Sequence, residues 1–338
     1  LRPSAGSLPP PARPIPPAEP RVQYLGAISS TEDLPSKQSS FGSFILGEEP
    51  MRPLAKPINA ILAGTRLYIC DTVFNTVFVY DLATGEHHAL LGDKENGKIR
   101  QANNIAVDDT GKFYVADKIR EAILVYGPDE QFMAAWGRPG QAQPVAAAIG
   151  ATEIYVVDIR DHEIEVWDRQ SGAYKRTIGR QGSGPGEFIS PTYIALDSQG
   201  NLYVTDSFNF RVQKLSPEGQ HLMTIGSLGR NLGQFAFPKG MDVDDQGRVY
   251  VADARFANIQ IFDDQGRLLL FFGGPGPNRG NLDLPAGVRV YRWPNIQWLN
   301  DRVTSMFTPE YLVVAVSQKG EGYINFYAVG HGPAPQTP

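Results

Sequence analysis

The chain has 338 residues, which is enough for two average domains or for one closed β architecture. Lys and Arg number 31 against 36 Asp and Glu, and the formal net charge of −5 disfavours a nucleic-acid platform, which carries a basic excess. The single cysteine, Cys70, excludes an internal disulfide, and no apolar run approaches the about 18 residues of a membrane-spanning helix.

The first 20 residues form a proline-rich arm with eight prolines, among them Pro10 and Pro16. This composition favours an extended polyproline II conformation and cannot build a core of its own. Because proline segments lose little entropy on docking, we expect Pro10 and Pro16 to contact a neighbouring subunit. The first residue, Leu1, is not Met, which favours a removed export signal or a lipidated N-terminus.

Residues 21–48 are predicted to be a closing strand and a linker. Arg21 to Ile28 has strand character, and the linker that follows carries a short helical pattern near residues 41–46. At the other end of the chain, residues 331–338 form a second proline-rich tail.

A five-residue pattern, apolar-Tyr-apolar-x-Asp, occurs five times in the region between these ends. Its tyrosines lie 46, 41, 48 and 47 residues apart, and the copies are Leu67 to Asp71, Phe113 to Asp117, Ile154 to Asp158, Leu202 to Asp206 and Val249 to Asp253. A period in the forties built from short strands is typical of a β-propeller blade. A degenerate sixth copy, Tyr311 to Ser317, brings the number of blades to six.

The sequence therefore predicts an all-β fold, a six-bladed propeller of four-stranded antiparallel blades over residues 49–330. The sixth blade has no fourth strand of its own after residue 330. We expect residues 21–28 to supply it and to close the ring, which removes the free sheet edges.

Several of these patterns resemble the NHL-repeat family of six-bladed propellers. The resemblance rests on Pro238 to Asp263, on Asp206 to Gln213 and on the glycine-rich link Gly182 to Phe188. The whole chain also resembles bacterial exported propeller proteins, often lipoproteins, of the kind encoded near multihaem cytochromes. The resemblance implies a periplasmic or cell-surface location and a cytochrome-type partner complex.

The residues that could carry chemistry do not assemble into a catalytic pattern. The repeated Asp ends a strand and begins a turn, so a turn-capping role explains it. The five histidines have no convergent spacing for zinc, and Asn59, Asn103 and Asn104 lack a channel-facing carboxylate that would complete a calcium site. We predict no catalytic, cofactor-binding or metal-ligating residue and no cofactor, and we lean against an enzyme.

Loops between the second and third strands should share one face with the links between blades. Aromatic and Arg side chains, which dominate binding hot spots, occur in these loops, although the same types also pack blade against blade. The candidate partner-binding residues are Phe74, Arg120, Arg160, Phe208, Arg255 and Phe256.

Blade six departs from the period between Asp253 and Ser317, where an insertion of residues 292–308 carries Trp293 and Trp298. Long insertions in compact domains are usually functional, so we expect a partner-binding flap.

These features predict a non-enzymatic, self-assembling or scaffold-like subunit for protein–protein interaction, exported to the periplasm or cell surface. Its partners would be copies of itself or a cytochrome-type complex, with no nucleic acid. The alternative is a metal-dependent lyase or lactonase-like hydrolase with its site in the central channel.

Overall fold

The computed structural model describes residues 21–35, 53–276, 278–320 and 322–332. Within them the chain forms six four-stranded antiparallel sheets arranged as a six-bladed β-propeller, with almost no helix. The predicted fold class is confirmed. The proline arm with Pro10 and Pro16, the helical pattern near residues 41–46 and tail residues 333–338 lie outside the described part of the chain.

The strands are numbered β1 to β24 in chain order, and each blade runs from the channel outwards. Blade one is Pro57–Ala63, Arg66–Asp71, Thr76–Asp81 and His87–Ala89 (β2 to β5). Blade two is Ala102–Val107, Phe113–Asp117, Ala122–Tyr126 and Phe132–Gly137 (β6 to β9). Blade three is Pro144–Ile149, Glu153–Asp158, Glu163–Asp168 and Tyr174–Ile178 (β10 to β13).

Blade four is Pro191–Leu196, Leu202–Asp206, Arg211–Leu215 and His221–Ile225 (β14 to β17). Blade five is Pro238–Val243, Val249–Asp253, Asn258–Phe262 and Leu268–Gly273 (β18 to β21). Blade six is Pro285–Arg292, Thr308–Ser317 and Ile324–His331 (β22 to β24), followed by Val22–Ile28 (β1). The short helices are Thr31–Asp33, Glu95–Gly97, Ser207–Asn209 and Gln297–Asn300.

The second strand of each of the first five blades is buried along nearly its whole length, because sheets of adjacent blades cover both of its faces. Its tyrosine fills the space between blades, and Tyr114, Tyr203 and Tyr250 are at most 1% exposed. Continuous apolar runs of this kind are expected for strands covered on both faces. The cores therefore lie between the blades, which fixes the blades relative to one another.

The ring is closed by the N-terminal strand, as predicted. Strand β1 pairs antiparallel with β24, with Val22 opposite Val329 and Ile28 opposite Ile324. Ile28 is fully buried and Leu25 is 6% exposed. The pairing makes β1 the outer strand of blade six, so the two ends of the described chain meet in one sheet.

The connectivity gives the propeller two distinct faces. The turn face carries the short turns between first and second strands, where Gly111, Gly200 and Gly247 have φ angles of 82°, 81° and 78° that favour glycine. The link face carries the loops between second and third strands and the links between blades. The repeated Asp residues lie on the link face.

Candidate binding face and the closed channel

The repeated Asp residues organise the link face. Asp71 Oδ2 accepts backbone N–H bonds from Ala55 and Lys56, just ahead of the inner strand, and its Oδ1 accepts two from its own loop. Four equivalents, Asp117, Asp158, Asp206 and Asp253, also accept backbone bonds from the link ahead of their blades. The turn-capping interpretation of these carboxylates is confirmed.

A groove runs over the link face from the link behind blade four to blade six, and we call it the link-face groove. It encloses a volume of about 940 Å³. The side chains that line it are apolar or basic, and they include Leu228, Arg230, Phe237, Lys239, Arg255, Phe256 and Leu284. Phe208 stacks on Phe237 at its edge, with ring centroids 6.1 Å apart and an interplanar angle of 29°.

The groove combines exposed apolar surface with positive charge. Leu228 is 64% exposed and Phe208 is 54% exposed, which is unusual for side chains of this size. Lys239 lies over the Phe237 ring, with its Nζ 5.3 Å from the centroid. Burial, together with the charge of Lys56, lowers the pKa of the Lys239 ammonium. Among the described residues no carboxylate lines the groove, so a complementary surface would be apolar and acidic.

The six loop residues predicted for partner binding do not share one environment. Phe208, Arg255 and Phe256 meet at the link-face groove. The others are engaged within the chain. Arg120 donates to the carbonyls of Asn96 and Lys98, Arg160 forms an ion pair with Glu121, and Phe74 contacts Phe78 edge-on.

The blade-six insertion folds against the closing strand. Trp298 is 7% exposed and packs edge-on against Phe326, with centroids 5.2 Å apart. The Arg302 guanidinium lies 3.8 Å from the centroid of the Trp298 ring. Trp293 is half-buried and donates its indole N–H to Asn300. Trp298 is therefore a core residue in this structure, because its ring fills the space between blade six and blade one.

Side chains close the central channel near its middle. The Asn59 amide of blade one donates to the Tyr193 hydroxyl of blade four at 2.5 Å, and the guanidinium carbon of Arg289 lies 5.0 Å from the centroid of that tyrosine ring. Gly240 and Gly287 bring inner strands into backbone contact, since a Cβ at Gly240 would lie 2.6 Å from the Gly287 Cα. The channel is thus a recess rather than a pore.

The recess opens on the turn face and holds a pair of opposite charges that the sequence analysis missed. It has a volume of about 230 Å³ with mostly aliphatic walls. Asp242 Oδ1 lies 3.7 Å from Arg289 Nη1, and the Tyr291 hydroxyl accepts the Leu62 N–H. Burial raises the pKa of the Asp242 carboxyl, and the Arg289 charge opposes this shift.

Aligning the inner strands would have revealed the pair. Asp242 lies opposite the repeat tyrosine of its blade, and Arg289 lies opposite Val314, at the same position of blade six. The corresponding residues of the first four blades are small or aliphatic, namely Ile61, Ala106, Ala148 and Ala195.

Most of the candidate metal-ligand oxygens among the described channel residues are engaged within the chain, and Asn103 Oδ1 is buried without a hydrogen-bond partner. The amide oxygens of Asn59 and Asn104 face backbone N–H groups, and both oxygens of Asp242 are engaged, by Arg289 and by the Val290 N–H. The described histidines are also dispersed. His88 contacts Glu130, His162 accepts from the Ser190 N–H, His221 contacts Thr224, His331 contacts Glu310 and His87 lies beside Tyr80.

A family model described as a 6-bladed beta-propeller matches residues 148–225, which lie in blades three and four. No curated protein matches the chain. Among the described residues, no helix is long and apolar enough to cross a membrane.

Solved structures share the fold at low identity. A protein of unknown function from Bacteroides thetaiotaomicron superposes with a TM-score of 0.63 and 14% identity, covering 91% of this chain and 75% of that one. A streptogramin B lyase superposes with a TM-score of 0.56 and 14% identity, covering 82% and 84%. Hydrazine synthase of Kuenenia stuttgartiensis superposes with a TM-score of 0.52 and 13% identity, covering 81% and 96%. At these identities the likeness shows the propeller fold alone.

Proposed function

We propose that this propeller is a non-enzymatic protein-binding and assembly subunit, exported to the periplasm or cell surface. The observation that carries the proposal is the link-face groove, where exposed Leu228 and Phe208 lie beside Arg230, Lys239 and Arg255. Apolar surface of this kind on a propeller face is typical of a protein contact. The closed channel supports the same proposal, because the link-face groove, at about 940 Å³, is larger than the channel recess of about 230 Å³.

The partner in this proposal is either a second copy of the chain or a cytochrome-type complex, as the family resemblance implies. The groove is basic although the chain carries a net charge of −5, so its complement would be an acidic, apolar surface segment. The proline arm with Pro10 and Pro16 would add a second contact, and a two-site attachment strengthens binding without further contact area.

The first test is the mass in solution, by light scattering, of three proteins over a range of concentrations. They are the full chain, a form without residues 1–20, and the double variant Arg255→Glu/Phe256→Ala. Self-assembly predicts a mass above 37.1 kDa for the full chain and a shift towards monomer in the other two. A full chain that is monomeric at every concentration excludes a second copy as the partner.

A foreign partner is tested by the same groove variant. Co-purification from the source cells is compared between the full chain, Arg255→Glu/Phe256→Ala and Arg180→Glu, an arginine of the link behind blade three that is outside the groove and 80% exposed. If a protein co-purifies with the full chain and with Arg180→Glu but not with the groove variant, the proposal is supported. Equal recovery of that protein with all three would contradict the groove as its binding site.

The alternative is a channel-centred lyase or lactonase-like hydrolase. One observation favours it, which is the Asp242–Arg289 pair beside Tyr291 in an otherwise apolar recess. Such isolated, desolvated charges occur at functional sites. In this alternative the reaction would work through Asp242, Arg289 and Tyr291. Turnover of a lactone or cyclic-ester panel that disappears with Asp242→Asn would favour it over the binding role.

A further inference from the structure

Asp158 of blade three differs from the equivalent carboxylates of the other four blades that carry the repeat. Its Oδ1 accepts the N–H groups of Gln143 at 2.9 Å and Arg160 at 2.8 Å. Its Oδ2 is buried and has no hydrogen-bond partner in the described chain, and the residue is 0% exposed. An unpartnered buried carboxylate oxygen is costly, so its presence requires an explanation.

In the other blades both oxygens of the equivalent carboxylate are satisfied. Those residues are Asp71, Asp117, Asp206 and Asp253. In blade four the second oxygen receives two hydrogen bonds. Asp206 Oδ2 accepts from the Asn209 amide at 2.8 Å and from the Arg211 guanidinium at 2.9 Å. These donors lie three and five positions after the Asp.

At the same two positions, blade three has carboxylates. Asp161 stands where blade four has Asn209, and Glu163 stands where it has Arg211. An ionised carboxylate has no proton to donate. Neither residue can therefore donate a hydrogen bond to Asp158 as Asn209 and Arg211 donate to Asp206. Compared with blade four, the blade-three loop therefore has two negative charges in place of a hydrogen-bond donor and a positive charge.

The three blade-three carboxylates converge. One oxygen of each of Asp158, Asp161 and Glu163 lies within 4.8 Å of the others. Burial raises the pKa of the Glu163 carboxyl, and the charges of Asp158 and Asp161 raise it further, whereas the Thr177 hydroxyl, which donates to it, and the Arg138 charge oppose the shift.

The nearby arginines are bonded to other carboxylates. The Arg138 guanidinium is bonded to Glu165 at 2.5 Å, and Arg160 is paired with Glu121. The imidazole of His162 accepts the Ser190 N–H through Nδ1, so that nitrogen carries no proton. No described side chain therefore donates to Asp158 Oδ2 as Arg211 donates to Asp206 Oδ2, and the charges of Arg138 and Arg160 act on the cluster only from a distance.

We propose that Asp158, Asp161 and Glu163 bind a divalent cation of the Ca²⁺ type at the loop of blade three on the link face. Hard cations prefer carboxylate oxygens, and Ca²⁺ tolerates the irregular geometry of a loop, with water completing its coordination. The cation takes the place of the blade-four Arg211 as the partner of the buried carboxylate. It ties the second strand to the start of the third, and it is independent of the link-face groove.

The test uses the full chain, freed of metal with a chelator and then titrated with Ca²⁺ in a calorimeter. We expect one equivalent of Ca²⁺ per chain, weaker binding of Mg²⁺, and a melting temperature that rises by about 5 °C at saturation. Asp161→Asn changes an exposed side chain and should weaken Ca²⁺ binding by at least about tenfold.

A second variant copies blade four into blade three. Asp161→Asn/Glu163→Arg supplies the donor and the positive charge that Asp206 receives from Asn209 and Arg211. It should abolish Ca²⁺ binding and leave a melting temperature that no longer responds to Ca²⁺ or chelator. Asp264→Asn removes one exposed charge from a turn of blade five and should leave the titration unchanged.

Two results would overturn the proposal. One is a wild-type chain that shows neither heat of binding nor a thermal shift with Ca²⁺. The other is an unchanged Ca²⁺ affinity in Asp161→Asn, or stoichiometric binding in Asp161→Asn/Glu163→Arg where that variant folds, since the cation would then bind elsewhere.

Discussion

The side-chain amide of Asn59 and the hydroxyl of Tyr193 form a 2.5 Å hydrogen bond that joins blades one and four across the central channel. Both residues are at most 5% exposed. The two residues are 134 positions apart in sequence, so this contact depends on how the blades are arranged around the channel. The bond therefore reports on the blade arrangement as well as on the blocking of the channel.

Removing that hydroxyl should destabilise the propeller. Tyr193→Phe leaves the buried Asn59 amide without its acceptor, and we expect the free energy of unfolding to fall by about 1–3 kcal/mol in urea denaturation. Tyr24→Phe is the matched control, because the Tyr24 ring packs on Tyr327 but its hydroxyl has no hydrogen bond within the described chain. Equal losses in the two variants would show that the cross-channel bond contributes nothing specific.

The closing strand should be essential to stability. Ile28→Ala deletes a fully buried side chain at the end of β1, next to Leu25 and Trp298 in the same core, and we expect a loss of about 2–5 kcal/mol. Arg21→Ala, an exposed change just before the same strand, should cost far less. Deletion of residues 21–28 should lower the melting temperature sharply, and an unchanged melt would contradict the closure of the ring by β1.

A substitution in the blade-six insertion tests whether Trp298 is a core residue or a partner-binding residue. Trp298→Ala should lower the free energy of unfolding by about 3–5 kcal/mol, because the indole ring fills the core between Phe326 and Arg302. Met306→Ala, in the same insertion but 68% exposed, should leave stability unchanged. If Trp298→Ala folds with full stability, the ring is not a core element and the predicted flap regains its support.

The fold could be predicted from the sequence because the repeat is dictated by local chemistry. Each copy places a tyrosine between blades and an aspartate at the turn, so one pattern encodes both the packing and the backbone bonds of a blade. The closing strand was also predictable, since Arg21 to Ile28 has strand character and blade six lacked a fourth strand. Repetition turns weak local signals into a strong one.

Other features depend on contacts between distant segments, and the sequence analysis missed or misplaced them. Asp242 and Arg289 belong to different blades, and only the ring brings them together in the recess. The insertion has no equivalent in other blades, so nothing in the repeat indicated that Trp298 points inwards. The exchange of Asn209 and Arg211 for Asp161 and Glu163 can be read from the aligned repeats, but its consequence for the buried Asp is visible only from the atomic contacts.

Acid should weaken the turn between the first two strands of blade two through Asp108. Burial raises the pKa of this carboxyl, but the hydrogen bonds from Thr110, the Lys112 N–H, Tyr114 and Arg169 outweigh burial and lower it to about 2. Because the pKa is depressed on folding, the stabilisation is present above the unfolded value of about 3.9 and is lost as pH falls through about 2.

Asp108→Asn should therefore reduce the free energy of unfolding at neutral pH by about 2 kcal/mol. Its difference from the wild type should shrink as pH falls from about 4 towards 2, because protonation removes the same charge from the wild-type carboxyl. Urea denaturation of both proteins at neutral pH and near pH 3 measures this, with exposed Asp264→Asn as the control for general charge effects. A difference that stays constant with pH would mean that the variant loses packing or geometry rather than the charge-dependent bonds to Arg169 and its neighbours.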